Sequence, residues 1–158
     1  MQLAGAVSSG LGRAHIFMSQ QHYQEQFKKI LGATAWPGTL NVEVDGADLA
    51  NYIALRTICG LDTPEVDESA KAEAAKIDST AIISHRVRGF HREGRSFGGA
   101  TAFLAEISTA DGEEPLSCAI LIPDLTRHVD VVEVIATYFL RETLGIVDGD
   151  TVDLILTE

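Results

Sequence analysis

Lysine, cysteine and long apolar stretches are all scarce in this chain. Of its 158 residues only Lys28, Lys29, Lys71 and Lys76 are lysine, and 12 basic residues face 23 acidic ones, for a formal net charge of −11. A nucleic-acid partner needs a basic face for its phosphate backbone, and an anionic membrane surface makes the same demand, so neither is an expected partner. Acidic surfaces poor in lysine also suit proteins that stay soluble at high salt. There is no apolar run of the roughly 18 residues that a membrane-spanning helix requires. The opening MQLAGAVSSGLGRAH lacks a basic segment followed by an apolar core, so no signal peptide is read. The two cysteines, Cys59 and Cys118, are far apart with no C-x-x-C pattern, as expected of a reduced, cytoplasmic protein.

With 46% hydrophobic residues the chain can bury a core, and its length suits one domain over residues 1–158. QLAGAVSSG reads as a strand running into a glycine turn, and GLGRAHIFMS as a loop followed by a short strand. SQQHYQEQFKKILG is the clearest helix. Ser19 is its expected N-cap, Tyr23, Phe27, Ile30 and Leu31 recur at helical spacing, and Gly32 stops it. TLNVEV is a strand ending at the turn dipeptide Asp45-Gly46. ADLANYIALRTICG and TPEVDESAKAEAAKI read as two short helices, a helical insertion over residues 47–78. AIISHRVRGF and RSFGGATAFLAEI are expected to form a hairpin about residues 91–94. LSCAILIP and VDVVEVIA are strands, TYFLRETLG is a short helix, and DGDTVDLILTE is a turn and a closing strand. Many short strands with few helices predict a mainly β (α+β) fold, a small mixed β-barrel.

Four stretches carry candidate chemistry. SGLGRAH sets Gly10 and Gly12 in a tight loop, where backbone amides can approach an anion. It is no Walker A, because no Gly-Lys-Ser/Thr follows, and no dinucleotide fingerprint, because a strand is expected where a helix should start. Taken alone, the stretch fits an ordinary glycine turn better. In PGTLNV, Thr39 and Asn41 share one face of a strand just past a turn. They fit either a polar, solvent-facing strand or a pair of neutral oxygen ligands for Mg²⁺, with substrate phosphates completing the shell. PDLTRHVDVVEVIA offers Thr126, His128 and Glu133, a hydroxyl, an imidazole and a carboxylate that could bind a polyol or move a proton. YFLRE puts Arg141 in a short helix beside two aromatics, where it could offset phosphate charge. The glycine-dense GRSFGG points to a bulge or a close backbone approach, and DGD at 148–150 reads as a turn.

The order of these pieces (SGLGRAHIF, a helix, WPGTLNV, GRSFGG, IPDLTRHVDVVEVIA, FLRETLGIVDGDTV) resembles the archaeal CTP-dependent riboflavin kinase family over nearly the whole chain except about residues 47–78. The resemblance implies a small six-stranded β-barrel of the cradle-loop type. It implies transfer of the terminal phosphate of CTP to riboflavin, giving FMN and CDP. Carried over by motif, Gly10, Leu11, Gly12, Arg13, Ala14 and His15 would form the nucleotide loop, and Thr39 and Asn41 would hold Mg²⁺. Thr126 and Glu133 would contact riboflavin, with Glu133 the candidate base, and Tyr138, Phe139, Leu140 and Arg141 would line the cytidine site. Where the family often has Ala-Pro before the last helix, this chain has Ala136-Thr137. Some members carry an N-terminal helix-turn-helix domain, so the chain is expected to be a stand-alone or trimmed kinase domain, acting as a monomer. The competing classes are a non-catalytic flavin- or nucleotide-binding barrel, and a kinase of the same fold using another nucleotide.

Overall fold

A computed structural model describes all residues except 11, 13, 64, 65, 112, 113, 127 and 158. The chain runs β1 (Gln2–Ser8), α1 (Ala14–Met18), α2 (Gln21–Leu31), β2 (Leu40–Glu43), α3 (Gly46–Ile58) and α4 (Glu68–Ala75). It continues through β3 (His85–Val87), β4 (Phe90–Arg92), β5 (Arg95–Phe97), β6 (Ala100–Thr109), β7 (Leu116–Pro123), β8 (Val131–Ile135), α5 (Leu140–Leu144) and β9 (Thr151–Leu156). Six strands, in the order β6-β7-β8-β2-β1-β9, close on themselves through a β6–β9 pairing, and every pairing is antiparallel. The expected small six-stranded barrel is therefore present, with β3 added outside β6. Among the described residues no helix is long and apolar enough to cross a membrane.

Alternation along the strands decides what faces inward. Leu40 and Val42 of β2, Val132 and Val134 of β8, and Ile120 and Ile122 of β7 fill the barrel interior. Their neighbours Ala119, Leu121 and Ile135 face outward, and the Tyr23 and Phe27 side of α2 covers them in a second apolar cluster. Glycine ends α2 as expected: Gly32 takes φ 86° and donates its N–H to Lys28 O at 2.9 Å. Ser19 does not cap α2, whose N-cap position is Gln20. Its hydroxyl turns back and donates to His15 O at 2.6 Å, closing the helix before it.

That earlier helix corrects the expected strand over IFMS. Residues 14–18 form α1, which buries Met18 and leaves Ile16 and Phe17 exposed. So the glycine loop does lead into a helix. The dinucleotide fold is excluded instead by the antiparallel neighbours of β1. The expected hairpin about 91–94 also divides. Glu93 and Gly94 both take positive φ, the signature of a primed turn, and join β4 to β5 in a separate two-stranded sheet. Close approaches at the glycines break the ribbon there. A Cβ on Gly89 would strike Phe97 O, and one on Gly99 would strike the Arg86 guanidinium and Val87 O.

Both helices expected between β2 and β3 are present. Tyr52 and Leu55 of α3, fully buried, join the barrel core, while Ile53 and Ala54 face Ala74 of α4. A helix gripped on two sides is buried around most of its circumference, which explains its weak amphipathic pattern in sequence.

Candidate active site

One row of residues crosses the outer face of the barrel. Ser8 of β1 pairs with Asn41 of β2, Asn41 pairs with Glu133 of β8, and Glu133 pairs with Leu121 of β7. Directly paired residues point to the same side, so the interior positions of Leu40, Val42, Val132 and Val134 force Asn41 and Glu133 outward together. Thr39, just before β2, shares that face. Its Oγ1 donates to Asn41 Oδ1 at 3.1 Å.

Two hollows meet beside this row, at Thr39. The larger, about 570 Å³, has Phe17, Met18, Tyr23, Phe27 and Leu121 among its walls and receives Thr39, Thr126, His128 and Glu133 at its polar side. Its size and mix suit a mostly apolar ligand of ordinary cofactor size. The smaller is a notch of about 30 Å³ bounded by Trp36, Gly38, Thr39, Leu40 and residues 138–141. Thr39 lines both. The rings of Trp36 and Phe139 stack over the notch with centroids 4.2 Å apart and planes 14° from parallel, so it must widen to admit a nucleobase.

The glycine loop closes the row from the β1 side. A Cβ on Gly10 would lie 2.5 Å from Asn41 Nδ2, so the loop backbone rests on that amide. Gly12 takes φ 71°. Ala14 opens α1 and lines the large cavity, and His15 Nδ1 lies 3.0 Å from Pro37 O, linking α1 to the turn before Thr39. Leu11 and Arg13, both expected in the nucleotide loop, lie outside the described residues.

Of the expected cytidine residues, Tyr138 and Phe139 are exposed, while Leu140 points into the barrel core. Arg141 reaches the base of the glycine loop. Its Nη2 donates to Ser8 O at 3.1 Å and to Asp148 Oδ1 at 2.7 Å. Asp148 also accepts from Ser9 Oγ at 2.7 Å. The expected turn at 148–150 therefore does more than turn. Asp148 clamps loop and helix together, and the Ser9 hydroxyl and Arg141 hold its carboxyl below the ordinary 3.8. Sequence reading missed this residue because its partners lie 139 and 7 positions away. Tyr23, whose hydroxyl donates to Gly98 O at 2.5 Å, was read only as part of the helical repeat, yet it walls the large cavity.

Burial raises the Glu133 carboxyl above its ordinary 4.5, against the pull of His128. A carboxylate so raised is a better proton acceptor near neutrality. Thr126 Oγ1 accepts from the His128 amide at 3.4 Å, and both residues line the large cavity.

The donor set fits Mg²⁺. Thr39 Oγ1 and Asn41 Oδ1 are hard, neutral oxygens 3.1 Å apart, close to the ~2.9 Å between adjacent oxygens of an octahedral Mg²⁺ shell. Among the described residues no group of three or more His, Cys, Asp or Glu could hold a metal, and Mg²⁺ commonly completes its shell with phosphate oxygens and water.

Comparison with known proteins shows the family of the chain. The chain matches the CTP-dep_RFKase family, described as a domain of unknown function (DUF120), over residues 7–77 and 64–156, ranges that take in the α3–α4 segment. It is 29% identical to a riboflavin kinase of Thermoplasma acidophilum over 152 residues, 96% of this chain and 56% of that protein. A riboflavin kinase of Pyrobaculum islandicum is 32% identical over 98% of this chain and 59% of its own length. The chain thus spans a little over half the length of these two relatives. A riboflavin kinase of Sulfurisphaera tokodaii is 32% identical over 98% of this chain, and here the alignment covers 93% of the relative. With a match running from the end of β1 to the end of β9, the chain belongs to the CTP-dep_RFKase family.

Proposed function

We propose that this chain is a riboflavin kinase that transfers the terminal phosphate of CTP to the ribityl 5′-hydroxyl of riboflavin, giving FMN and CDP. One observation carries the reading: Thr39 lines both hollows, beside Asn41 and on the same face as Glu133. A phosphoryl donor in the notch and an apolar acceptor in the large cavity would meet at that face. Phosphoryl transfer asks the protein mainly for positioning and charge compensation, and both are supported here without a lysine cluster.

The isoalloxazine ring would occupy the apolar cavity, its ribityl chain directed past Thr126 and His128 toward Glu133. Glu133 would accept the proton of the 5′-hydroxyl as that oxygen bonds to the terminal phosphorus. The bond from that phosphorus to its bridging oxygen breaks, and CDP leaves. Thr39 and Asn41 would hold Mg²⁺, which would supply positive charge to offset that of the phosphates. Backbone amides of the glycine loop, held by Arg141 and Asp148, would wrap the phosphates. The Trp36–Phe139 stack would open for cytosine.

The test is FMN formation, followed by chromatography, from riboflavin and Mg²⁺ with CTP in one reaction and ATP in another. FMN from CTP with little from ATP is expected. FMN from ATP alone would keep the kinase and replace its donor. Riboflavin binding without FMN would favour a non-catalytic flavin-binding barrel.

A further inference from the structure

Among the described residues, Arg56 is the only charged side chain that is buried, at 4% exposure. Taking a guanidinium out of water is costly unless its donors are met. Two of its bonds stay near α3: Nε donates to Thr63 Oγ1 at 3.1 Å and Nη2 to Asp62 O at 3.2 Å. The third crosses 72 positions of sequence, from Nη1 to His128 O at 3.0 Å.

His128 belongs to the β7–β8 connection, which brings Thr126 and His128 to the large cavity. The connection is pinned at its ends. Asp124 N donates to Gly99 O at 3.0 Å, Arg86 forks onto the Asp124 carboxylate, and Val44 N donates to Asp130 O at 3.0 Å. Between those pins, Arg56 is the described side chain that ties the backbone to another element. The face of α3 that carries it repeats at helical spacing: Tyr52, Arg56 and Cys59. Tyr52 is fully buried, its hydroxyl pushed up to about 12 by burial and touched by the charges of both Arg56 and Glu133. Through the Arg56–His128 bond that face of α3 abuts the β7–β8 connection on the riboflavin side of the proposed site, and neither Tyr52 nor Arg56 lines the Trp36 notch.

We propose that Arg56 is a positioning residue for the phosphate acceptor: from α3 it fixes the backbone at His128, and so sets Thr126 and His128 for riboflavin without acting on the nucleotide. The proposal rests on the riboflavin kinase reading. It also gives the α3–α4 segment a part in acceptor binding. A charge-assisted hydrogen bond to a carbonyl is strong enough for its loss to weaken binding about tenfold. Because Arg56 touches the β7–β8 connection and neither hollow's nucleotide wall, the loss should divide the two substrates.

The experiment uses the full chain with Arg56→Met and Arg56→Lys. It measures thermal midpoint, kcat, and KM for riboflavin and for CTP. The expected result for Arg56→Met is a KM for riboflavin raised about tenfold with KM for CTP within about twofold. Arg56→Lys should recover part of the loss, since an ammonium can reach one carbonyl but not three oxygens. Equal rises in both KM values, or a lowered midpoint with riboflavin KM unchanged, would overturn the proposal. Amide hydrogen exchange on the unsubstituted protein decides the matter even where the variants do not fold. Riboflavin should slow exchange at the His128 amide and in the last turn of α3 together, and slowing at His128 alone would overturn it. If the unsubstituted protein neither quenches riboflavin fluorescence nor makes FMN, the kinase reading itself falls, and this inference with it.

Discussion

Replacing Gly10 by alanine adds one methyl group at the point where the glycine loop meets Asn41, one of the two proposed metal ligands. The new Cβ would stand 2.5 Å from Asn41 Nδ2 and 3.7 Å from its Cγ. Gly10 is not among the glycines with positive φ, so alanine brings no backbone strain of its own. The carboxamide must therefore swing away, and its bond from Thr39 Oγ1 goes with it. Losing that bond costs stability about 1 kcal/mol, which shifts the thermal midpoint of a domain this size by only ~2–4 °C. Activity should suffer far more. A ligand oxygen displaced by about 1 Å costs on the order of 10²-fold in rate, or about 2.7 kcal/mol of barrier. Initial rates of FMN formation across a Mg²⁺ titration provide the assay. Gly10→Ala should lower kcat about 10²-fold and move the Mg²⁺ requirement upward, and Asn41→Ala should move it the same way. Turnover within about threefold of the unsubstituted protein, with an unchanged Mg²⁺ curve, would refute the placement of the pair. Gly5→Ala is the contrast. Its Cβ would strike the Glu43 carbonyl inside the sheet, where no side chain can give way. It should cost about 1–3 kcal/mol of stability while leaving the Mg²⁺ dependence of the folded fraction intact.

Three further outcomes are expected. Glu133→Gln should reduce kcat by ~10²-fold or more while riboflavin still binds, as read by flavin fluorescence quenching; a fall below about threefold would leave Glu133 as a binding contact only. Trp36 is the sole tryptophan, and it stacks on Phe139 across the notch, so CDP alone should change its emission; a spectrum unmoved at saturating CDP would place the base elsewhere. Asp148 has a folded pKa below its ordinary 3.8, so its contribution is complete above that pH and is lost as pH falls through the lower, folded value. Denaturant melts between pH 2 and 5 should therefore show Asp148→Asn losing less stability on acidification than the unsubstituted protein, and parallel pH profiles would contradict the clamp.

How much was legible beforehand varies by element, for physical reasons. The α2 helix was readable because Tyr23 and Phe27 recur along one face and Gly32 ends it in the left-handed region. The primed turn at Glu93-Gly94 was readable because turn chemistry is local. By contrast α1 was taken for a strand. Five residues, AHIFM, are too few to show a period, and their apolar bulk fits either state until α2 and the cavity take one side. The glycine density of GRSFGG pointed to a bulge or a close approach, and one occurs at Gly99, but the atoms approached, the Arg86 guanidinium and Val87 O, belong to another segment.

The same division runs through the site. Motif order alone pointed to Thr39, Asn41, Thr126, Glu133 and Arg141, and the inward run of Leu40, Val42, Val132 and Val134 already required their polar neighbours to face out. What a strand faces is a property of period two, and period is written in the chain. Which strand lies beside it, and in what register, is not. The pairing of Asn41 with Ser8 on one side and Glu133 on the other exists only once the barrel has closed. So does the meeting of two hollows at Thr39, the Asp148 clamp on Ser9 and Arg141, and the reach of Arg56 to His128. Each joins groups from distant parts of the chain. Neighbouring residues set local conformation, but closure of the sheet is what brings such groups within hydrogen-bonding distance.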